Sequence, residues 1–99
     1  MSYFNLYESK PCEKFELLKN LIDNETIESI MLCYNDGYFD RYVRVDKFRV
    51  IIDGQTSRTY DYGTIELDNQ YNICFDLSIG EFASMTLKID LNCITQYWV

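Results

Sequence analysis

The chain has 99 residues, a formal net charge of −7 and no histidine. A chain of this length forms one small core, so we expect a single domain over residues 1–99 and exclude a two-domain enzyme with a cleft between its domains. No stretch approaches the roughly 18 consecutive apolar residues of a membrane span. The N-terminus lacks the basic start and apolar run of a signal peptide. We therefore expect a cytoplasmic protein.

The composition predicts a folded chain without a metal or cofactor. Hydrophobic residues make up 47% and aromatic residues 16%, which is too apolar for a disordered segment. The cysteines at positions 12, 33, 74 and 93 include no Cys-x-x-Cys pair, and structural zinc sites usually take their ligands as such pairs. The commonest metal ligand, histidine, is absent. We expect the cysteines to be free thiols in a reducing compartment.

One segment near the N-terminus predicts a helix of about twelve residues. Pro11 suits the first helical position, because its missing N–H has no helical partner there. Apolar residues recur at helical spacing and form a stripe of Phe15, Leu17, Leu18, Leu21 and Ile22. The predicted polar face holds Glu13, Lys14, Glu16, Lys19 and Asn20. So short a helix is unstable alone, and its stripe must therefore pack on a sheet.

The remainder predicts strands separated by turns. Asn35-Asp36-Gly37 lies between the segments 27–34 and 38–45, which indicates a hairpin. Further turns are expected at 53–54, 68–70 and 78–81, and residues 93–99 are expected to form a last strand. Alternation of apolar residues in 71–77 and 85–91 predicts strands with one buried face. The predicted fold class is α+β, with a short N-terminal helix packed on an antiparallel meander sheet of about five strands.

Two segments allow more than one interpretation. Phe39, Val43 and Val45 are odd-numbered, whereas Phe48 and Val50 are even-numbered, so one strand cannot bury both sets without a break at Asp46-Lys47. We favour a bulge in one long bent strand over a tight turn, because Asp-Lys lacks the glycine that tight hairpins prefer. Residues 24–32 also fit a helical spacing, which would give a second helical turn instead of a strand.

The sequence lacks the recognisable parts of an enzyme. There is no phosphate-binding glycine loop, no Gly-x-Ser-x-Gly motif and no histidine to activate a cysteine nucleophile. Carboxylate pairs such as Asp61 with Glu66, or Asp36 with Asp40, are unavoidable among sixteen acidic residues. We therefore expect a protein that binds rather than one that catalyses.

The charge is unevenly distributed along the chain. Residues 1–40 and 61–99 each carry a net charge of −5, whereas residues 41–60 carry +3. The basic and aromatic segment 38–49 allows a single-stranded nucleic-acid-binding protein as one alternative, because aromatic rings stack on bases. The net charge of −7 repels a polyanion, so direct nucleic-acid binding is not favoured.

The favoured partner is another protein. Carboxylates on a rigid sheet can imitate a phosphate backbone and attract enzymes that hold nucleic acid. Exposed tyrosines are effective contact residues at protein interfaces. One predicted strip on the wet face of a strand consists of Tyr38, Asp40, Tyr42 and Arg44. The full set of candidate partner-binding residues is Asp36, Tyr38, Asp40, Tyr42, Arg44, Asp61, Glu66 and Asp68.

The leading hypothesis is a non-enzymatic inhibitor of a nuclease or other nucleic-acid-processing enzyme. Residue motifs identify no family. In size and composition the chain is similar to small acidic inhibitors encoded by bacteriophages and mobile elements, of the anti-CRISPR or anti-restriction type, and this similarity implies a host bacterial cytoplasm. A second alternative is an immunity protein that neutralises a cognate toxin. A homodimer through a strand edge, such as that of residues 93–99, is a further expectation.

Overall fold

The structure is a computed structural model that describes residues 3–52 and 58–99. This part of the chain forms one antiparallel sheet and one helix. The elements, in chain order, are β1 (Tyr3–Asn5), α1 (Pro11–Asp23), β2 (Ser29–Asn35), β3 (Asp40–Asp46), β4 (Arg49–Ile52), β5 (Arg58–Leu67), β6 (Asn72–Ile79), β7 (Ala83–Asp90) and β8 (Ile94–Trp98), with a 3₁₀ turn at Leu91–Cys93. The strand order is β1-β8-β2-β3-β4-β5-β6-β7. The α+β class holds, but the sheet has eight strands rather than about five, and only β2 to β7 form a meander.

The parity break at Asp46 is a tight turn, so the expected bulge is wrong. Val45 pairs with Val50 across the turn, and only Lys47 and Phe48 lie between the two strands. The Asp46 carboxylate accepts hydrogen bonds from the backbone N–H of Phe48 at 2.8 Å and of Arg49 at 2.7 Å. These bonds satisfy the turn without a glycine.

The other predicted turns agree with the structure where it describes them. Gly37, at φ +99°, lies in the β2–β3 turn, and Gly80, at φ +74°, lies in the β6–β7 turn. Residues 24–32 form no second helix: a single turn, closed by a hydrogen bond from the Ile27 N–H to the Asn24 carbonyl at 3.2 Å, is followed by β2 from Ser29. The turn expected at 53–54 lies outside the described residues.

The short connection between β7 and β8 requires the sheet to curl. Five strands lie between β7 and β8 in the sheet, which would separate them by about 29 Å if the sheet were flat, at about 4.8 Å per strand. The chain passes from Asp90 to Ile94 in four steps, which span at most about 14 Å. The far edge of the sheet must therefore bend round towards β8. The dimensions of 40 × 33 × 30 Å agree with a curled sheet.

The helix packs on the inner face of this curl. Leu18 and Ile22 are buried, as the apolar stripe predicts, whereas Leu17 is 36% exposed. They belong to one core with side chains from the inner face of the strands, among them Leu32, Val43, Val50, Phe75 and Ile89. Among the described residues, no helix is long and apolar enough to cross a membrane.

Lys14 is buried against the β7–β8 connection, although the sequence pattern placed it on the polar face of the helix. Its side chain is only 3% exposed. Its Nζ donates hydrogen bonds to the backbone carbonyls of Leu91 at 2.9 Å and Ile94 at 2.7 Å. Burial lowers the pKa of Lys14 below its usual value, and the nearby Cys93 and Asp90 partly oppose that effect. The lysine thus joins the helix to the connection that closes the curl.

We expect Lys14→Met to lower the free energy of unfolding by about 2 kcal/mol, because two buried carbonyls lose a charged donor. Urea unfolding followed by circular dichroism measures the change. The matched control is Lys19→Met on the same helix, where Lys19 forms an exposed pair with Asp23 at 3.2 Å. That change is expected to remain below about 0.5 kcal/mol. An equal loss in both variants would contradict the proposed role of Lys14.

Candidate binding surface

The outer face of the curled sheet carries an aromatic surface over its first four strands. Cross-strand register brings Tyr3 opposite Trp98, Trp98 opposite Met31, and Met31 opposite Arg44. Leu32 follows Met31 in β2 and Val43 precedes Arg44 in β3, so both side chains lie on the opposite face of the sheet. Both are buried there, in the core that the helix covers. The sheet therefore presents one continuous row of large side chains away from its core.

Three aromatic rings lie close together on this face: Tyr3 and Trp98 from the row just described, and Tyr42, two residues before Arg44 on β3. The ring centroids of Tyr3 and Trp98 are 5.5 Å apart, and those of Tyr42 and Trp98 are 6.0 Å apart. Both distances are within the range of favourable ring pairs. We call Tyr3, Met31, Tyr42, Arg44 and Trp98 the aromatic patch.

The edges of the aromatic patch are held by polar contacts. Gln96 Nε2 donates a hydrogen bond to the Tyr3 hydroxyl at 2.8 Å. Cys33 lies opposite both Tyr42 and Gln96 and is only 2% exposed. The adjacent Cys33 thiol, together with burial, raises the pKa of Tyr42 above its ordinary value. Tyr42, which is 38% exposed, is therefore harder to ionise than an ordinary tyrosine.

Sequence reasoning found only the β3 part of this surface. Tyr42 and Arg44 were candidates and lie in the aromatic patch. Tyr3 and Trp98 are not among the predicted residues. The sequence does not predict β1, and it does not show that β8 pairs with both β1 and β2. The one available signal was the aromatic pair Tyr97-Trp98 in a predicted strand, which places consecutive rings on opposite faces.

The remaining members of the predicted β3 strip lie beyond the aromatic patch. Tyr38 is 86% exposed but belongs to the β2–β3 turn rather than to β3. Asp40 begins β3, where its carboxylate accepts a hydrogen bond from Asn35 Nδ2 at 3.1 Å. Phe39, expected to share the buried face of Val43, is instead 67% exposed, with the Arg41 guanidinium 5.8 Å from its ring centre.

Asp36, another candidate, stabilises the β2–β3 turn. Its carboxylate accepts hydrogen bonds from the N–H of Tyr38 at 2.9 Å and of Phe39 at 2.8 Å. The same carboxylate accepts a bond from Arg41 Nε at 2.7 Å. The bond from Phe39, followed by those from Arg41 and Tyr38, lowers the pKa of Asp36 to about 2. Arg41 therefore pairs with an acidic residue of its own hairpin.

Asp68 has the corresponding role in the β5–β6 turn. Its carboxylate accepts hydrogen bonds from the N–H of Gln70 at 2.9 Å and of Asn72 at 2.8 Å. The hydrogen bonds from Asn72 hold the pKa of Asp68 well below its usual range. Lys88 Nζ lies 3.6 Å from the same carboxylate.

Asp61 and Glu66 lie on the outer face of β5, apart from the aromatic patch. Asp61 is opposite Arg49, with Arg49 Nε 3.8 Å from its carboxylate. Glu66 is exposed and opposite Cys74 of β6. Because β4 separates β5 from β3, the eight predicted residues do not form one site. Two lie in the aromatic patch, two stabilise turns, and the others are distributed over exposed positions.

An open groove of about 530 Å³ lies between the end of the helix, the β3–β4 turn and β5. Several of its polar groups already have partners. The Tyr62 hydroxyl donates to the backbone carbonyl of Asp46, and burial raises the pKa of Tyr62 to about 12. Lys19 pairs with Asp23. The aromatic patch is therefore the better candidate for a binding surface.

Comparison of the chain with protein-family models, with curated proteins and with solved structures finds no match.

The turn role of Asp36 predicts a pH-dependent stability difference. We expect Asp36→Asn to be less stable than the wild type at pH 7, because the charged acceptor is lost. A carboxylate whose pKa is lower in the folded state stabilises the fold above its ordinary pKa of 3.8, and this stabilisation disappears as the pH falls towards 2. Urea unfolding at pH 7, 4 and 2 should show the difference between the two proteins shrinking over the last interval.

The matched control for this measurement is Asp76→Asn, at an exposed position on the outer face of β6 opposite Thr86. Within the described residues Asp76 forms no ion pair. We expect little change in stability at any of the three pH values. A difference for Asp36→Asn that is the same at pH 7 and pH 2 would contradict the assigned role.

Proposed function

We propose that this chain is a non-enzymatic protein that binds and inhibits a nucleic-acid-processing enzyme through the outer face of its sheet. The observation that carries the proposal is the aromatic patch, in which Trp98 lies between Tyr3 and Tyr42 on a face that no described element covers. Met31 and Arg44 complete it. A counter-defence inhibitor encoded by a phage or mobile element is the specific form that we favour.

The composition and rigidity of the aromatic patch support a protein partner. Tryptophan, tyrosine, methionine and arginine are the residues enriched at interface centres, and tryptophan, tyrosine and arginine dominate their binding energy. The five side chains of the aromatic patch lie on four hydrogen-bonded strands, so little conformational freedom is lost when they are covered. Contact between Trp98 and its two neighbours further restricts the side chains before any partner arrives.

The distribution of charge supports a partner with a basic surface. The net charge is −7, and beyond the aromatic patch the outer face carries the exposed carboxylates of Glu66 and Asp76. A nucleic-acid-binding groove is lined with lysine and arginine, and opposite charge accelerates association and favours the correct partner. The aromatic patch supplies the affinity in this proposal, and the carboxylates supply attraction and orientation.

The geometry of the segment 38–49 argues against the nucleic-acid-binding alternative. Arg41 is paired with Asp36 at 2.7 Å, and Arg49 lies 3.8 Å from Asp61. Asp46 lies within the same segment. Nearby carboxylates therefore offset part of the positive charge of this segment. The segment thus lacks the concentrated positive surface that phosphate binding requires.

We expect Tyr42→Ala to weaken partner binding at least tenfold, because truncation of a central aromatic typically costs about 2 kcal/mol. The matched control is Tyr71→Ala, since Tyr71 is 50% exposed in the β5–β6 turn, remote from the aromatic patch. Immobilised wild type, Tyr42→Ala and Tyr71→Ala proteins are used to capture partners from bacterial lysate. Purified partners that depend on Tyr42 are then tested for inhibition of nucleic-acid cleavage or binding.

The proposal predicts a nucleic-acid-processing enzyme that wild type and Tyr71→Ala retain, that Tyr42→Ala loses, and that the wild type inhibits. Equal retention by Tyr42→Ala would contradict the aromatic patch as the interface. Patch-dependent partners without any nucleic-acid-processing activity would contradict the proposed target class. A labelled oligonucleotide that shifts with micromolar protein at low salt would favour the direct nucleic-acid alternative.

A further inference from the structure

The β6–β7 hairpin projects beyond the core of the sheet. All nine residues from 78 to 86 are exposed, so neither face of the hairpin tip is covered by another described element. Three of these exposed residues are large and apolar: Ile79 is 41% exposed, Met85 is 40% exposed and Phe82 is 98% exposed. A small acidic protein thus exposes apolar side chains at the end of one hairpin, well separated in the strand order from the aromatic patch.

β7 is also an edge strand, and its sequence and geometry do little to protect it. It is the last strand in the sheet order, so the polar backbone groups on its free side have no strand partner among the described residues. It is eight residues long, contains no proline, and pairs with β6 in unbroken register from Asn72–Asp90 to Ile79–Ala83. The opposite edge, β1, is only three residues long. Short strands, bulges, prolines and charged side chains are the usual protections of an edge, and β7 has only the last of these, Lys88 and Asp90 near its C-terminal end.

The expected edge at residues 93–99 is not available for pairing, because β8 lies between β1 and β2. Of the two described edges, only β7 offers a long regular strand.

We propose that β7 pairs antiparallel with β7 of a second copy of this chain, across a two-fold axis at Met85. This inference is independent of the function proposed above. In this register Met85 faces Met85 of the partner subunit, Ala83 faces Leu87 of the partner subunit, and Ser84 faces Thr86 of the partner subunit. The two sheets then continue into each other through the strand edges.

Self-complementarity of β7 is the argument for a second copy as the occupant. In the β6–β7 pairing, Ala83, Met85 and Leu87 share one face. A two-fold axis at Met85 matches this apolar set with itself and the polar Ser84 and Thr86 with each other, as an isologous interface requires. The charges nearest the axis are on Glu81, Lys88 and Asp90, and in this register none of them faces a like charge. Met85 of one subunit is covered by Met85 of the partner subunit.

The net charge of −7 opposes dimerisation, because two copies repel each other. Added salt screens this repulsion, with a Debye length that falls to about 8 Å at 0.15 M ionic strength. We therefore expect the dimer to become stronger as sodium chloride is raised. A dimer held mainly by opposite charges would show the reverse dependence.

Sedimentation velocity of the full chain, over a range of protein and salt concentrations, tests the proposal. The wild type should show a dimer whose population rises with both. Met85→Lys and Met85→Glu should each raise the dimer dissociation constant about tenfold or more, because each places like charges opposite each other at the axis. An equimolar mixture of the two variants should associate again, because lysine then faces glutamate. The control is Ser78→Lys, which makes the same charge change on β6.

A wild type that remains monomeric at every concentration and salt condition would overturn the proposal. A mixture of Met85→Lys and Met85→Glu that fails to associate would overturn the register. A dimer that Tyr42→Ala abolishes but Met85→Lys does not would assign self-association to the aromatic patch instead of β7. Circular dichroism confirms the fold of each variant, and Met85 is sufficiently exposed that its replacement should leave the core intact.

Discussion

The three-residue connection from β7 to β8 is the constraint on which the rest of the fold depends. Because Leu91–Cys93 cannot cross a flat sheet, the strands must curl until β8 reaches β2. Lys14 fixes this arrangement, since its Nζ donates to the carbonyls of Leu91, the first residue of the turn, and of Ile94, the first residue of β8. A buried ammonium is unfavourable unless it is well hydrogen-bonded, so the two carbonyls and the lysine require one another. The helix is thereby held at the point where the curl closes, with Leu18 and Ile22 against the inner face.

Both proposed surfaces follow from the same constraint. Insertion of β8 next to β2 places Trp98 opposite Met31, and pairing of β1 with β8 adds Tyr3 to the row. If β8 simply followed β7 in a meander, Trp98 would lie at the other side of the sheet from Tyr42, and the aromatic patch would not exist. The same insertion leaves β7 without a second neighbour. One topological choice therefore creates an aromatic face and an open edge.

Local features of the fold were predictable from the sequence, and non-local ones were not. The helix from Pro11, the turn at Asn35–Gly37 and the alternation of Ile73, Phe75 and Leu77 depend on neighbours in the chain. The tight turn at Asp46 is not predicted, because it contains no glycine. It is stabilised instead by hydrogen bonds that the Asp46 carboxylate accepts from two backbone N–H groups. The helical pattern alone places Lys14 on the polar face, because the carbonyls that bind it lie 77 and 80 residues away in the chain. For the same reason the candidate site was found only in part: Tyr42 and Arg44 could be inferred from one strand, whereas Tyr3 and Trp98 join them only through the strand order.

The position of β8 is the central claim, and Trp98 is the only tryptophan in the chain. Nuclear Overhauser effects from its indole protons report directly on its neighbours. The structure predicts cross-peaks from Trp98 to the rings of both Tyr3 and Tyr42, together with contacts between the backbones of Cys33 and Gln96. Cross-peaks from β8 to β7, with none from Trp98 to Tyr3 or Tyr42, would show a simple meander and would contradict both the curl and the aromatic patch.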